Sequence, residues 1–497
     1  MNMSNSQGSY AVPENIRKMK PRGTMVKKIK GHYYVYGMKC IKDEKTGKWK
    51  TKILGIMGKI TEKDGYIPNK DDPSFHEFGT YYLFESCAKE IRELFFQAFG
   101  KNDDARRIWI CGMIYAVNGF RPICRISHIF LTSYYWINQS GIKLGETAVC
   151  NMLENLGRRD DEAKAFQELL TAITTEVAID GHVIPRYSAL DGMTEFGYKH
   201  KKLGCEQVNL LTAFDTINCR PVAMRMFDGS KNDKASVKEL IDDVLIEKCL
   251  YLMDRGFQCD EVKQKIASVH GTYIMPVCSL TNSYKEAMKR GPGRLKAFTY
   301  THREGIHTEE DLVEYRIASE SSGTRVIYYC NMKQAMEQKN SYLKCIKNKV
   351  EGYTDEGLEK AEMSFGVIVL ETTHSGQPED IYSLYKRRWR IETFYDYLKH
   401  QMDFNALGVQ DWAKLQGLSF MMMLASLIRG ACQLKVKEKK LNMNMPEVQA
   451  IASSVKLIRR SDKWFIEVAS KKERELFKSL NVSLVYEFDP KSDSSFT

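Results

Sequence analysis

Four side chains within residues 381–399 have the types and the spacing for chemistry on a phosphodiester. Tyr385, Arg388, Glu392 and Lys399 stand at offsets 0, 3, 7 and 14. At about 100° per residue of helix, these positions fall within roughly 60° of one another. A carboxylate flanked by cations can hold a divalent metal while the cations bind an anionic backbone. The segment therefore predicts a single helix with one face suited to metal-assisted phosphodiester chemistry.

The same segment indicates how that helix is seated. An adjacent arc carries the apolar residues Leu384, Ile391, Phe394 and Leu398. An apolar arc of this kind packs on a core, and Trp389 is assigned to the core as well. Any one of the polar residues, taken alone, is better explained by a solvent-exposed helix with an ordinary Arg388–Glu392 pair. It is the whole set that favours a site.

Two more carboxylates are expected where apolar runs end. Residues 176–180 end in Asp180, and residues 249–254 end in Asp254. We expect each run to be a buried strand, which fixes its acid on a rigid sheet with the carboxylate at a polar edge. Mg²⁺ prefers oxygen ligands, so these two acids and Glu392 are the predicted metal ligands.

Alternatives remain open for the first acid. Asp180 taken alone is more typical of a turn residue before Gly181, and Asp191 and Asp215 are rivals for its role. Asp215 also ends a strand, but the far end of that strand is expected to point away from the metals.

The motif Tyr-x2-Arg-x3-Glu-x6-Lys resembles the signature of bacterial insertion-sequence transposases of the DDE type, in the superfamily named for insertion sequence four. Three shorter motifs also resemble those of the family. They are Ala-Ile-Asp-Gly at 178–181, Gly-Ser-Lys-Asn-Asp at 229–233 and Met-Asp-Arg-Gly-Phe at 253–257. The resemblance covers residues 171–430. It implies hydrolytic nicking at transposon ends and attack of the freed 3′-OH on target DNA, with two Mg²⁺ or Mn²⁺ ions.

The resemblance also assigns roles and partners. It implies catalysis and metal binding by Asp180, Asp254 and Glu392. It further implies DNA binding by Arg388 and Lys399, with Tyr385 orienting that contact and Arg255 assisting. The expected partners are double-stranded DNA, as terminal inverted repeats and target, and a second copy of the chain in a synaptic homodimer. The implied location is the bacterial cytoplasm, at the nucleoid.

The predicted fold class is α/β. An RNase H-like core, a mixed sheet flanked by helices, is interrupted by a β-rich insertion, with a β-hairpin module and a helical domain before it. The predicted segments are 1–80 (tail and basic hairpin), 81–170 (helical), 171–274 and 367–432 (core), 275–366 (insertion) and 433–497 (basic, helical). Residues 129–157 are compatible with a helix–turn–helix, and an all-helical scaffold is about as well supported.

The insertion carries the aromatics that the resemblance would use to hold a flipped base. Relatives with such an insertion often use Trp there, but this chain has no Trp between residues 258 and 388. Phe298, Tyr300, Tyr328 and Tyr329 are candidate substitutes by stacking.

Composition sets the remaining limits. The chain has 497 residues, 74 basic against 63 acidic, and a net charge of +11, which mildly favours an anionic partner. Its 13 cysteines include no Cys-x-x-Cys pair, so reduced thiols are expected rather than disulfides or a zinc site. His302 and His307 are expected in a loop, without partner ligands at usable spacing. No signal peptide or membrane span is predicted.

Two other functions fit the same residues. A related nuclease would cut DNA without strand transfer, and a domesticated DNA-binding protein would have lost catalysis. The intact set of three acids argues against the second.

Overall fold

The computed structural model describes two compact units, Met1–His76 and Glu77–Thr497. The residues described are 12–42, 49–68, 75–139, 141–186, 206–289, 295–304, 307–400, 402, 411–460, 463–468, 470–484 and 487–489.

The first unit is a short helix with an antiparallel four-stranded sheet in the order β1-β2-β3-β4. Its elements are α1 (Glu14–Lys18), β1 (Thr24–Ile29), β2 (His32–Lys42), β3 (Trp49–Thr61) and β4 (Gly65–Pro68). Ile16, Val35 and Ile60 form its buried centre. The predicted hairpin strands are β2 and β3, which pair antiparallel. The turn between them lies outside the described residues. A further strand, β5 (Phe75–Glu77), follows.

Seven helices come next and share one apolar core. They are α2 (Gly79–Cys87), α3 (Lys89–Phe99), α4 (Asp103–Asn118), α5 (Ile123–Thr132), α6 (Tyr135–Asn138), α7 (Glu146–Arg158) and α8 (Asp161–Thr171). The second helix of the helix–turn–helix considered for residues 129–157 is α7. It buries Val149, Met152, Leu153 and Leu156, which gives it an apolar stripe facing the core.

One long helix, α16 (Trp412–Glu438), packs against α7 at backbone distance. A Cβ on Gly157 would lie 1.7 Å from the Ala413 carbonyl oxygen, and one on Gly417 would lie 2.1 Å from that of Leu153. Only glycine allows such an approach. This close packing favours the scaffold interpretation of α7 over DNA reading.

A nine-stranded mixed sheet forms the centre of the second unit. Its order is β11-β12-β13-β14-β10-β9-β6-β7-β8. The strands are β6 (Glu176–Arg186), β7 (Glu206–Asp215), β8 (Arg220–Asp228), β9 (Leu250–Met253), β10 (Thr272–Pro276), β11 (Lys296–Glu304), β12 (His307–Ser321), β13 (Thr324–Asn331) and β14 (Val367–Thr372). The parallel pairs are β6 with β9 and β9 with β10; the other neighbours are antiparallel.

Helices flank this sheet, as predicted for the α/β class. They are α9 (Asp233–Asp243), α10 (Asp260–Ser268), α11 (Asn282–Met288), α12 (Met332–Lys347), α13 (Asp355–Glu362), α14 (Pro378–Lys386) and α15 (Trp389–His400). From β6 to β9 the element order is strand–strand–strand–helix–strand, and β14 belongs to the same sheet.

The β-rich insertion extends the main sheet instead of forming a sheet of its own. Strand β14 pairs with β10 on one side and with β13 on the other. It therefore joins β11, β12 and β13 to the strands that precede them. Two helices, α12 and α13, follow β13, a helical part that the sequence pattern did not indicate.

The C-terminal region mixes helices and strands, whereas helix alone was predicted to about residue 480. After α16 come α17 (Met445–Ser453), β15 (Lys456–Arg460), β16 (Lys463–Glu467), α18 (Lys471–Ser479) and β17 (Glu487–Phe488). Among the described residues, α16 alone has the length and apolar content of a membrane-spanning helix, and 78% of its apolar window is buried within the protein. It is thus a core helix of the second unit.

Candidate active site

Strand pairing places Asp180 and Asp254 side by side. Ile179 pairs with Met253 in the parallel β6–β9 ladder, and each acid is the next residue along its chain. Neighbouring strands lie about 4.8 Å apart. Asp254 keeps an extended backbone (φ −79°, ψ 164°), so both carboxylates leave the same side of the sheet.

The expectation that both acids end their strands is right for one of them. Asp254 directly follows β9, but β6 continues from Asp180 to Arg186. Asp180 is therefore an interior strand residue, paired with Thr212 of β7 one residue beyond the last β6–β9 pair. Its carboxylate Oδ1 accepts a 2.8 Å hydrogen bond from the Gly181 N–H.

The signature segment is two helices, not one. Helix α14 ends at Lys386 and α15 begins at Trp389. Between them the N–H groups of Arg387, Arg388 and Arg390 donate to carbonyls three residues back, a tighter 3₁₀-type turn. Arg387 pairs with Glu176 at 2.8 Å, and Arg390 donates to the Thr216 carbonyl. These contacts anchor the break on the sheet.

Arg388 lies at the break and connects the predicted polar residues. Its Nη2 donates to Glu392 Oε1 at 2.6 Å, and its guanidinium carbon is 5.9 Å from the centre of the Tyr385 ring. The Arg388 side chain is only 12% exposed. Arg388 therefore holds Glu392 in place as well as supplying positive charge.

Asp254 and Glu392 act electrostatically on Asp180. Burial raises the pKa of Asp180 to about 6. The Gly181 hydrogen bond and Arg388 oppose the rise, while Asp254 and Glu392 add to it. The same charges act on the Tyr385 phenol. Burial raises the pKa of Tyr385 to about 12; Arg388 opposes this rise, and Asp254 and Glu392 add to it. The structure thus brings the predicted carboxylates around Arg388.

The donor set fits divalent cations. All three side chains offer carboxylate oxygens, the ligands that Mg²⁺ prefers. Their ligand atoms do not all lie within 4.8 Å of one another, which is looser than a cage for one ion. Two ions about 4 Å apart, each with ligands at roughly 2 Å, allow carboxylate oxygens up to about 8 Å apart. A pair of ions is therefore the arrangement that three such carboxylates would hold.

The other predicted site residues take different positions. Lys399 is half-buried in the last turn of α15. Arg255 is exposed and lies near the Tyr284 phenol. Burial raises the pKa of Tyr284, and the positive charge of Arg255 opposes that rise. Asp215 is buried at the other end of the β6–β7 ladder, where it accepts hydrogen bonds from the Ile217 and Asn218 N–H groups. Asp215 is thus a turn residue, and Asp191 lies outside the described residues.

The sequence pattern missed Tyr395. Its hydroxyl donates to the Asp180 carbonyl oxygen at 2.8 Å and its ring is buried, which seats α15 on β6 next to the first acid. The aromatic three residues after Glu392 was the available signal, since that spacing places both on one side of a helix.

The aromatic candidates of the insertion divide by exposure. Tyr329 is fully buried and its hydroxyl donates to the Pro378 carbonyl oxygen at 2.8 Å, so it is a core residue. Phe298 and Tyr300 pack edge-on against Tyr382 of α14, and Arg316 covers the Tyr328 ring. Trp389, predicted in the core, is instead 64% exposed beside Arg388.

The sequence matches a family model, that of the transposase DDE domain. The match covers residues 172–428, which is just over half of the 497-residue chain. No curated protein sequence matches it. Among solved structures, the chain is similar to the cryo-EM structure of a piggyBac transposase synaptic complex with hairpin DNA. That likeness has 11% sequence identity, covers 84% of this chain and 87% of that chain, and has a TM-score of 0.40.

Proposed function

The chain belongs to the DDE transposase family, and on that premise we propose that Asp180, Asp254 and Glu392 are its catalytic acids. It is a DNA transposase, an enzyme that cuts DNA and transfers a cut strand. The observation that carries the assignment of the acids is the convergence of β6, β9 and α15 around Arg388. The motif spacing further supports membership of the insertion-sequence-four superfamily.

The fold around these acids supports an RNase H-like core. The order β8-β7-β6-β9-β10 sets three antiparallel strands beside two parallel ones, and the third acid comes from a later helix. In our division the core spans 171–274 and 367–432, interrupted by the insertion at 275–366. It is preceded by a hairpin module (1–80) and a helical domain (81–170), and a basic region (433–497) follows it.

In the proposed mechanism the residues have separate tasks. Divalent cations, Mg²⁺ or Mn²⁺, held by the three carboxylates would activate the attacking oxygen and stabilise the leaving one. Arg388 positions Glu392 and faces the scissile phosphate, Lys399 binds a neighbouring phosphate and Arg255 assists. Tyr385 orients Arg388, whose guanidinium carbon lies 5.9 Å from the centre of the Tyr385 ring.

The proposed substrates are the terminal inverted repeats of the element and a target DNA, held by a homodimer that pairs two ends. The enzyme would act in the bacterial cytoplasm, at the nucleoid. For base stacking we retain Phe298, Tyr300 and Tyr328, and we add Trp389 because of its exposure beside Arg388.

A cleavage and joining assay tests this function. Duplexes carrying the inverted repeats that flank the gene are incubated with a target plasmid, with Mg²⁺ or with EDTA. We expect Mg²⁺-dependent cuts at the repeat ends and products joined through the 3′-OH. Cut ends without joined product would identify the nuclease alternative, and binding without cutting would identify a catalytically lapsed protein.

We predict that Lys399→Ala weakens DNA binding without changing which sequence is preferred. Each phosphate contact releases counterions, so loss of one should reduce the salt slope of log K by up to about one unit. Binding isotherms between low and moderate salt measure this slope. The control is Lys360→Ala, an exposed lysine on α13, which should leave the slope unchanged. A changed sequence preference at an unchanged slope would contradict the role of Lys399.

A further inference from the structure

A second group of metal-ligating side chains lies on the β11–β12 hairpin. His302 pairs across the strands with Glu309, and Asp311 is two residues further along β12. Ligand atoms of these three residues all lie within 4.8 Å of one another, and within the described residues no other His, Cys, Asp and Glu trio is this compact. The expectation that His302 lies in a loop without partners is therefore wrong. The side chain of His307 is not among those described.

Two atoms of this trio are buried without a hydrogen-bond partner. They are His302 Nε2 and Asp311 Oδ1, and the Asp311 residue is only 5% exposed. His302 Nε2 is 3.3 Å from Asp311 Oδ2, yet the pair does not have hydrogen-bond geometry. Buried polar atoms are rarely left unsatisfied, and an ion is one of the explanations for those that are.

The distance between the two atoms suits a shared metal. Two ligand atoms about 2.1 Å from a tetrahedral zinc lie roughly 3.4 Å apart. One imidazole with two carboxylates is a ligand set for Zn²⁺ or Mn²⁺ rather than for Mg²⁺, because imidazole favours the transition metals. The active site, by contrast, offers oxygen ligands only.

Neighbouring groups hold these ligands in position. Asn331 Nδ2 donates to Asp311 Oδ2 at 2.8 Å, while Asn331 Oδ1 accepts from the Gln334 N–H and caps α12. The Tyr300 ring stacks on His302 with centroids 5.3 Å apart. Outer partners of this kind orient the ligands of protein metal sites.

Two lysines compete for the same carboxylates. Lys333 pairs with Glu309, and its side chain is 41% exposed, so it can move into solvent. Lys386 lies over the Tyr382 ring and within electrostatic reach of Asp311, but Asp311 Oδ1 remains without a hydrogen bond. Neither lysine satisfies the two buried atoms.

We propose that His302, Glu309 and Asp311 bind one divalent transition-metal ion, Zn²⁺ by preference, at a site separate from the catalytic acids. The ion would link the β11–β12 hairpin to Asn331 at the start of α12. Asn331 in turn is 3.3 Å from the Tyr382 hydroxyl of α14. The site would therefore fix the insertion against the helix that carries Tyr385.

Metal content of the full-length protein tests the proposal. We compare the parent chain with His302→Gln, and with His128→Gln as a matched control on the exposed face of α5. Each is made also in a Glu392→Gln background, which separates this site from the catalytic one. The proteins are dialysed against Zn²⁺ and titrated calorimetrically. A parallel Mn²⁺ sample is examined by pulsed electron paramagnetic resonance for coupling to a directly bound nitrogen.

We expect His302→Gln to lower the content by one Zn²⁺ per chain in both backgrounds. Binding at that site should weaken by more than the 10–100-fold that loss of an outer partner costs, and the nitrogen coupling should disappear. His128→Gln should match the parent. If His302→Gln does not fold, Glu309→Gln, a change at a partly exposed side chain, takes its place. Equal Zn²⁺ content and affinity in parent and variant, or no Zn²⁺ bound by the parent, would overturn the proposal.

Discussion

Glu392→Gln is expected to abolish DNA end cleavage while DNA binding persists. The substitution keeps the size of the side chain but removes the charge that the metal requires. Metal stabilisation of a phosphoryl transition state is worth several kcal/mol, and a loss of about 4 kcal/mol lowers the rate by about 10³-fold. Single-turnover cleavage of a labelled repeat duplex measures the rate, and a mobility shift measures binding.

The matched control for this experiment is Asp396→Asn on the same helix. Asp396 is exposed, four residues from Glu392, and the same charge is removed. The Asp396→Asn variant should cleave DNA at a rate within about twofold of the parent rate, because a solvent-exposed charge makes a small contribution. Cleavage by Glu392→Gln at a rate near that of the control would remove Glu392 from the catalytic set.

Asp180→Asn is expected to eliminate cleavage and yet to stabilise the metal-free protein. Folding raises the pKa of Asp180 to about 6, against about 3.9 in an unfolded chain. Between these two pH values the native state therefore binds more protons than the unfolded chain. The contribution of Asp180 to the free energy of unfolding falls as pH rises from about 4 to about 6. A rise of about two units corresponds to up to about 3 kcal/mol. Asparagine removes this cost because it is never ionised.

Urea denaturation in EDTA at two pH values measures this effect. At pH 7.5 the variant should be more stable than the parent, and near pH 4 the two should converge. Mg²⁺ should then stabilise the parent at pH 7.5 and leave the variant unchanged, because only the parent retains the ligand. A variant that is less stable than the parent at pH 7.5 would show that Asp180 serves the fold rather than a metal.

The part of the site that follows from local pattern could be predicted from the sequence. Apolar runs identified β6 and β9, and parallel pairing then set Asp180 beside Asp254. The i, i+4 spacing of Arg388 and Glu392 predicted their contact, which forms at 2.6 Å. These features depend on neighbours in sequence or on one pairing of adjacent strands.

Features that depend on distant contacts could not be predicted in this way. The break at Arg387 and Arg388 interrupts a sequence with good helical periodicity, since Glu176 and the Thr216 carbonyl anchor the turn. Tyr395 acts through a strand more than 200 residues earlier in the chain. The pairing of β14 with both β10 and β13 likewise has no local signature.

The His302 group shows the same limitation within a hairpin. Glu309 and Asp311 follow His302 by seven and nine residues, a spacing that fits no common metal motif. Antiparallel pairing of β11 with β12 brings them onto one face. The three side chains are visible in the sequence, but the strand register that groups them comes from tertiary structure.

Anomalous diffraction from crystals of the protein with a repeat-end duplex and Mn²⁺ tests the central claim most directly. We expect two Mn²⁺ peaks about 4 Å apart among the carboxylates of Asp180, Asp254 and Glu392, with Arg388 against the scissile phosphate. Peaks that do not contact these three side chains, with the DNA end bound elsewhere on the protein, would contradict the assignment of the active site.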